Sequence, residues 1–483
     1  MYKRQIPSGS VSGITFDGLI LGGTVSVYDF TSGTKGALLG QATTDGNSGL
    51  YSLSLQVESR PVLLEITGGY YIEEAGPGST QVALSSKQKL TALANYTTGA
   101  TLNISVTTLT HLAAGLAEYE ISKGTAVSVA INDANNRASS LVGVNILTTT
   151  PKVITDVTNA SATLTPELRY GFLAGAISMW TYNNAPSASV AHLSPFTSID
   201  FAQLLYQDIS ADGLLDGFAY DSTGAKAQLS FGTTPLGPDV YRMGLGVSLV
   251  QMAGDPNNKT GLTGSKVLSF AQSYIASSDG IFNGVAPTAF AATTTAITSP
   301  TTNAWARKTI SVIPTASSPF GLNTVELIVD GVSVATSANA APASFSLNTT
   351  AYADGAHTLT VRSTDRGGFV ATSTVQSNID NTPPTSNGNY YYFNGCSGLC
   401  RNNNGNASDN YSGVVSATIL ANGQTSAVGV GGSWSLVTDA GPSSPHNVVW
   451  PTVRIMDAAG NCSDYFYNQT TTGAFTLIAL GTC

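Results

Sequence analysis

Four oxygen-bearing side chains follow one another at short, regular spacing in the middle of the chain. Asp208, Ser210, Asp212 and Asp216 stand at relative positions 1, 3, 5 and 9, and Gly213 stands at position 6. Hard cations prefer carboxylate and hydroxyl oxygens, and a glycine at the sixth position permits the sharp turn that wraps a loop around an ion. The spacing predicts a weak calcium site at these four residues.

This segment resembles the first half of an EF-hand loop. The resemblance ends at position 12, where Ala219 stands in place of the bidentate Glu that closes the loop in that family. The other interpretation is a turn that ends a helix, with its Asp side chains capping backbone amides and facing water. Both interpretations stay open, and calcium is the one cofactor that the sequence predicts.

All four cysteines lie in the last fifth of the chain, which predicts a local disulfide framework. The expected pairs are Cys396 with Cys400 and Cys462 with Cys483. Four thiolates can also hold zinc, but the spacing is irregular and the neighbouring segments have an extracellular character, in which disulfides persist. Disulfides are therefore the preferred interpretation.

A run of aromatic residues, Tyr390, Tyr391, Tyr392 and Phe393, is a candidate binding surface. Exposed tyrosines stack on sugars and are enriched at interfaces. Successive residues of a strand face opposite sides, so only half of the run could be exposed. Packing in a core or between domains is the alternative.

No catalytic residue is predicted. The sequence contains no nucleophile elbow, no zinc-protease motif, and no phosphate- or dinucleotide-binding glycine motif. Glu73 and Glu74 are interpreted as a solvated pair in a loop, although the carboxylates of a glycosidase come together only in three dimensions. The four histidines are scattered and are interpreted as structural: His111, His192, His357 and His446.

Uncharged polarity dominates the composition. Only 10% of the 483 residues are Asp, Glu, Lys or Arg, against about 25% in average domains. The net charge is −9 and no basic run could follow a phosphate backbone, so nucleic acid is not an expected partner. No apolar run reaches the roughly 20 residues of a membrane span. The first 15 residues contain no signal peptide, which an N-terminal truncation would explain.

Alternating apolar residues joined by Gly and Asp turns predict a β-sandwich over residues 6–100. A Gly-x-Val opening, the strand around Val25 and the hairpin from Thr44 to Leu53 resemble the carboxypeptidase regulatory-like, transthyretin-like domain. That resemblance implies a non-catalytic accessory module. Over residues 101–295 the apolar period changes to that of helices, with start signals at Thr107 and at Thr165 before a proline.

The last two predicted domains, residues 298–382 and 384–483, are β-sandwiches. Leu327 and Val329, then Leu359 and Val361, alternate with polar residues, and Tyr352 stands where a corner tyrosine would precede a strand. The segments resemble bacterial Ig-like repeats of surface proteins. Two corresponding turns, beginning at Asp365 and Asp457, indicate that the domains are diverged copies. The fold class is multidomain and mainly β, with a central α-helical domain.

These features predict an extracellular or cell-surface bacterial protein without catalytic activity. Its expected role is adhesion, or a structural part in a surface layer, matrix or filament. The expected partners are other protein chains or cell-surface glycans, and the uncharged sandwich edges suit a homopolymer formed by strand addition. The alternative is a secreted carbohydrate-active enzyme with accessory β domains.

Overall fold

The chain forms two compact units, each with its own cores. The computed structural model describes residues 6–76, 81–220, 223–282, 286–287, 289–396, 398–420, 423–429, 431–439, 452–469 and 475–483. The first unit comprises Met1–Ala292, Ser318–Gly321 and Asp365–Phe369, and the second comprises Thr293–Ser317, Leu322–Thr364 and Val370–Cys483. The architecture is multidomain and mainly β with a central group of helices, which confirms the predicted fold class.

The first unit begins with a two-sheet sandwich. One sheet has the order β10-β1-β4 with β9 also on β1, and the other has the order β3-β2-β5-β8. Alternate residues of β4 point inward, so that Tyr51, Leu53 and Leu55 are buried while their neighbours are exposed. The strands are β1 Gly9–Phe16, β2 Thr24–Asp29, β3 Leu38–Thr43, β4 Leu50–Leu55, β5 Arg60–Thr67, β6 Tyr70–Ile72, β7 Gln81–Ala83, β8 Lys89–Tyr96, β9 Thr101–Asn103 and β10 Val106–Thr107.

Six α-helices follow the sandwich among the described residues. Between them lie two short hairpins, β11 Phe218–Tyr220 with β12 Lys226–Gln228, and β13 Ser230–Phe231 with β14 Thr234–Pro235. The α-helices are α1 Thr108–Ser122, α2 Val127–Val142, α3 Pro166–Asn184, α4 Ser198–Asp212, α5 Leu245–Gly254 and α6 Gly264–Ile275, with a 3₁₀ turn at Val157–Asn159 and a π turn at Val240–Gly244 before α5.

The predicted helix starts form as expected. Thr107 is the N-cap of α1 and accepts a hydrogen bond from the Thr110 amide, and Thr165 caps α3 with Pro166 in the first turn. The helices and the sandwich bury one another, because Leu63 and Leu93 of the sandwich belong to the same apolar core as the helices.

The second unit contains two sandwiches, each made of two sheets. In the first of them, the sheets have the orders β15-β17-β20 and β16-β22-β21-β18-β19. The predicted strands around Leu327 and Leu359 are hydrogen-bonded neighbours, β18 and β21, and both side chains are fully buried. The strands are β15 Thr294–Ser299, β16 Ala304–Ala306, β17 Thr309–Ser317, β18 Leu322–Val329, β19 Val332–Ala338, β20 Phe345–Asn348, β21 Gly355–Asp365 and β22 Val370–Ile379, with a 3₁₀ turn at Thr349–Ala351.

The final sandwich repeats this layout with the sheets β23-β24-β27 and β26-β25-β28-β29-β30. Its core is small and includes Trp434, Ile455 and Tyr465. The strands are β23 Thr385–Cys396, β24 Gly398–Ser408, β25 Val414–Ile419, β26 Thr425–Ala427, β27 Ser433–Asp439, β28 Thr452–Asp457, β29 Cys462–Gln469 and β30 Phe475–Thr482.

A disulfide joins Cys462 at the start of β29 to Cys483, directly after β30, with a Cα–Cα distance of 5.3 Å. This is the predicted second pair. Because β30 is the last strand of its sheet, the bond ties a sheet edge to its neighbour.

Removing this disulfide with the double substitution Cys462→Ser and Cys483→Ser is expected to destabilise the final sandwich. For two cysteines 21 positions apart, loop-closure entropy predicts a loss of about 3 kcal/mol in the free energy of unfolding. Calorimetry of the full chain would measure this loss. An unchanged melting transition would contradict it, and a further decrease in that variant on adding reductant would indicate a second disulfide.

Candidate functional site

Four titratable side chains lie inside the first unit, and we call them the buried acidic cluster: Asp17, Glu73, Glu74 and His192. The three carboxylic residues are each 2% exposed and His192 is 5% exposed. Asp17 follows β1, the two glutamates follow β6, and His192 lies in the loop before α4. The expectation that Glu73 and Glu74 form a solvated pair is therefore wrong.

Glu73 connects the sandwich to the first turn of α4. Its Oε1 accepts hydrogen bonds from the Ser198 amide at 2.8 Å, from Ser198 Oγ at 3.0 Å and from the Tyr71 hydroxyl at 3.0 Å. A carboxylate at a helix N-terminus is stabilised by the unpaired amides and by the helix dipole. Burial raises the pKa of Glu73, but the charge of His192, whose Nδ1 lies 3.8 Å from Glu73 Oε1, and the hydrogen bond from the Ser198 amide lower it overall.

The pKa values of Asp17 and Glu74 are raised, in contrast to that of Glu73. Burial raises the pKa of Asp17 to about 7, and the charge of Glu73 raises it further against the hydrogen bond from Thr108. Burial also raises the pKa of Glu74 well above its usual range, with contributions from Asp17 and Glu73. Asp17 Oδ2 and Glu74 Oε1 are buried without a hydrogen-bond partner. An uncharged carboxyl group is the form that this environment favours.

The geometry of the buried acidic cluster suits a structural role. The carboxyl groups are closed off from solvent, whereas a glycosidase needs two carboxylates that reach a bound sugar and a water. His192 is held by a hydrogen bond between its Nε2 and the Ala75 carbonyl oxygen at 2.8 Å, and its ring stacks on Tyr182. The cluster links strands, loops and helices of one unit. The position of Glu73 and Glu74 between the apolar residues Ile72 and Ala75 is the feature of the sequence that could have indicated this buried acidic cluster.

Asp208, the first of the predicted calcium ligands, is fully buried near the end of α4 and holds the following loop. Its carboxylate accepts hydrogen bonds from the amides of Gly217 at 2.8 Å and Phe218 at 3.3 Å. Burial raises the pKa of Asp208 to about 6, against the hydrogen bond from the Gly217 amide. Gly213 ends the helix in the left-handed conformation, with φ of 81°.

The other predicted ligands also have partners within the chain. Lys226 Nζ lies 2.9 Å from Asp216 Oδ2 and 3.4 Å from Asp212 Oδ2, and the Ser210 hydroxyl donates to the Gln207 carbonyl oxygen. Calcium would have to displace Lys226 from both carboxylates. The arrangement matches the helix-ending turn of the alternative, except that Asp208 is buried instead of facing water. The calcium site stays a prediction.

The aromatic run lies in β23, where the backbone of Tyr390 pairs with Asn403 and that of Phe393 pairs with Cys400. Its side chains, and those of Cys396 and Cys400, lie outside the described part of the structure. Binding by the aromatic run and the first disulfide therefore stay predictions. His446 also lies outside the described residues.

Two other histidines have structural surroundings. His111 is buried, its Nδ1 lies 2.8 Å from Thr91 Oγ1, and its ring stacks on Tyr206. Burial lowers the pKa of His111 to about 3, with a smaller contribution from Lys89. His357 pairs with Asp330 at 2.6 Å and contacts the ring of Tyr352.

The edge strand β19 is a surface suited to another chain. It is the last strand of its five-stranded sheet in the described part of the chain, and Val332 to Ala338 include no charged residue. Val332 is 65% exposed and Val334 is 41% exposed. Free edges usually carry charges or proline that prevent strand addition. This edge carries neither.

Comparison with known proteins identifies one domain. A family model described as a bacterial Ig domain matches residues 294–361, which include strands β15 to β20 and part of β21. No curated protein matches the chain at a significant level. Among the described residues, none of the helices has the length and apolarity needed to cross a bilayer.

Several solved structures are similar to parts of the chain at low scores. An endo-β-1,4-mannanase from Thermotoga petrophila has 13% identity over 27% of this chain and 25% of its own, with a TM-score of 0.17. The fibronectin(III)-like modules of Clostridium thermocellum CbhA have 16% identity over 38% and 90%, with a TM-score of 0.22. A Ca²⁺-stabilized adhesin with which an Antarctic bacterium binds ice has 13% identity over 99% of both chains, with a TM-score of 0.19. The chain spans a quarter of the mannanase's length, and similarity at this level transfers no function.

The free energy of unfolding of the first unit is expected to fall as the pH rises from 5 to 7. Asp17 has a raised pKa of about 7 in the folded chain, so in this interval the unfolded state has already released a proton that the folded state keeps. The loss is at most about 1.4 kcal/mol per pH unit for one such group. Urea unfolding at several pH values, monitored through hydrogen exchange of peptides from α3 and α4, would measure this loss of unfolding free energy.

Asp17→Asn imitates the protonated carboxyl group and should reduce this pH dependence by the share of one group, because Glu74 and Asp208 keep their own contributions. Asp45→Asn is the matched control, because Asp45 is exposed and hydrogen bonds with Ser48 and Asn47 lower its pKa out of this interval. An equal slope in Asp17→Asn and in the unaltered chain would show that Asp17 ionises normally.

Proposed function

We propose that the chain is a non-catalytic extracellular protein of the bacterial cell surface, which acts in adhesion or as a structural component of a surface layer, matrix or filament. The observation that carries the proposal is the uncharged, exposed edge strand β19 on a domain that matches a bacterial Ig family. An open sheet edge offers a row of backbone donors and acceptors to a strand of another chain.

The composition and the disulfide support an extracellular location. The 10% content of charged residues leaves a surface rich in neutral hydroxyl and amide groups. The disulfide between Cys462 and Cys483 would persist outside the cell, because the systems that reduce disulfides act in the cytosol. The two-sheet sandwich at the N-terminus supports the carboxypeptidase regulatory-like assignment of residues 6–100 as an accessory module.

The carbohydrate-active enzyme is the less favoured function. The candidate carboxylates of the first unit, Asp17, Glu73 and Glu74, are each 2% exposed, and a sugar ring cannot reach them. A broad panel of glycans incubated with the full chain would test this alternative. Detection of a hydrolysis product would overturn the non-catalytic proposal.

The partner surface can be tested by placing a charge on the edge. Size-exclusion chromatography with light scattering and negative-stain microscopy of the full chain should show assemblies if the partner is a second copy of the chain. Val334→Lys should reduce their size or abolish them, because a buried lysine at a new strand pair has no partner for its charge.

Val370→Lys is the matched control, because Val370 is 56% exposed but begins β22, which already pairs with β21. If the chain is monomeric, retention on bacterial cells or on glycan arrays would support adhesion, and Val334→Lys should weaken retention that uses this edge. A monomer without retention on any of these surfaces would contradict both roles.

A further inference from the structure

Three carboxylates come together inside the second unit, where the linker after β22 meets the final sandwich. Asp380 follows β22, Asp409 follows β24 and Asp457 ends β28. One carboxylate oxygen from each residue lies within 4.8 Å of those from the other two. Asp380 is 0% exposed and Asp457 is 1% exposed. Water therefore does little to screen the repulsion among these charges.

Asp409 and Asp457 each use one oxygen to hold a turn of the final sandwich. Asp409 Oδ2 accepts hydrogen bonds from the amides of Tyr411 at 2.9 Å and Gly413 at 3.0 Å. Asp457 Oδ1 accepts a hydrogen bond from the Asn461 amide at 2.7 Å. These bonds orient both carboxylates without using their second oxygen.

Asp380 joins the linker to the same turns. Its Oδ2 accepts a hydrogen bond from the Ser412 amide at 3.0 Å, and its Oδ1 accepts one from the Thr382 amide at 3.1 Å. Its carbonyl oxygen accepts a hydrogen bond from Asn461 Nδ2 at 2.7 Å. The linker and the final sandwich therefore meet around the three carboxylates.

The remaining oxygens of two carboxylates have no donor. Asp457 Oδ2 and Asp409 Oδ1 are buried without a hydrogen-bond partner. The ion pairs of the second unit, within the described part of the chain, join other residues: Asp330 with His357, Glu326 with Arg362, and Asp464 with Arg454. Buried carboxylate oxygens are normally paired, so these two oxygens can accept a positive ligand.

The corresponding turn of the preceding repeat shows how such an oxygen is otherwise satisfied. Asp365 Oδ1 accepts hydrogen bonds from the amides of Gly367 and Phe369, as Asp457 Oδ1 does from its turn. Asp365 Oδ2 accepts a hydrogen bond from the Ser318 hydroxyl at 2.7 Å. The turn carboxylate thus faces a hydroxyl donor in the first repeat, at Asp365, and two further carboxylates in the second repeat, at Asp457.

We propose that Asp380, Asp409 and Asp457 bind a divalent cation, and that the cation is calcium. Three carboxylates supply hard anionic oxygens, and calcium accepts irregular sets of six to eight oxygens that carbonyl groups and water can complete. Magnesium requires a nearly ideal octahedron and keeps most of its water, which suits a preformed set of buried carboxylates less well. The ion would tie the linker after β22 to two loops of the final sandwich.

The site is separate from the edge strand and does not depend on the proposed function. It is also separate from the loop of Asp208 to Asp216, whose carboxylates lie in the first unit. Burial and then the charges of Asp380 and Asp409 raise the pKa of Asp457, against hydrogen bonds from Asn461. Calcium binding would therefore be weaker in acid, because protons compete with the ion for the carboxylates.

Titration of the full chain, first freed of metal with a chelator, with calcium chloride tests the proposal. Isothermal titration calorimetry should show a site with a dissociation constant on the order of 10⁻⁴–10⁻³ M, the range of extracellular modules. Calcium should raise a melting transition, and magnesium chloride at the same concentration should do so less. Asp457→Asn and Asp409→Asn keep the acceptor for the turn amide and should each weaken binding at least tenfold.

Two further measurements separate metal binding from a folding defect. Without calcium, Asp457→Asn should melt at the same temperature as the unaltered chain or higher, because it removes repulsion. Asp365→Asn, at the matching turn, and Asp212→Ala, in the Asp208 loop, should keep the calcium response. The proposal fails if the unaltered chain shows no response, if Asp457→Asn keeps it, or if only Asp212→Ala removes it.

Discussion

Buried carboxylates that accept backbone amides hold the loops of this protein in place. Glu73 binds the first turn of α4, Asp208 binds the loop after it, and Asp365 and Asp457 each close the same turn in successive repeats. A chain with 10% charged residues has few such groups, and several of its acids lie inside the structure. Since buried polar backbone groups must be paired, these acids allow long irregular connections between sheets and helices.

The second oxygen of each carboxylate then needs its own partner, and the structure meets this need in different ways. Asp365 receives the hydroxyl of Ser318, and Asp216 receives Lys226. Asp17 has a pKa near 7, so its burial can be relieved by a proton. Asp457 faces two other carboxylates, where a proton on one group leaves the repulsion between the others, and a divalent cation relieves all three together.

The elements of the fold were largely predictable because their signals are local. The side chains of Thr107 and Thr165 cap helices, and a proline follows Thr165 in the sequence. The alternation of apolar and polar residues around Leu327 and Leu359 predicts the strands that form there. The burial of Glu73 was not predictable, because its partner Ser198 lies 125 positions away. The role of Asp216 likewise depends on Lys226, which the next hairpin supplies.

Spacing along the sequence identifies only calcium ligands that lie close together in the chain. A loop motif places its ligands within about a dozen residues, whereas Asp380, Asp409 and Asp457 come from three separate turns. The sequence shows that the turn at Asp457 repeats the turn at Asp365. A repeat reveals what the two copies share and does not reveal how they differ. The difference between them, a serine hydroxyl in one and two acids in the other, is what gives one copy chemistry that the other lacks. In tandem domains of this kind, the residues that differ between corresponding turns are therefore a better guide to a binding site than the residues that the turns share.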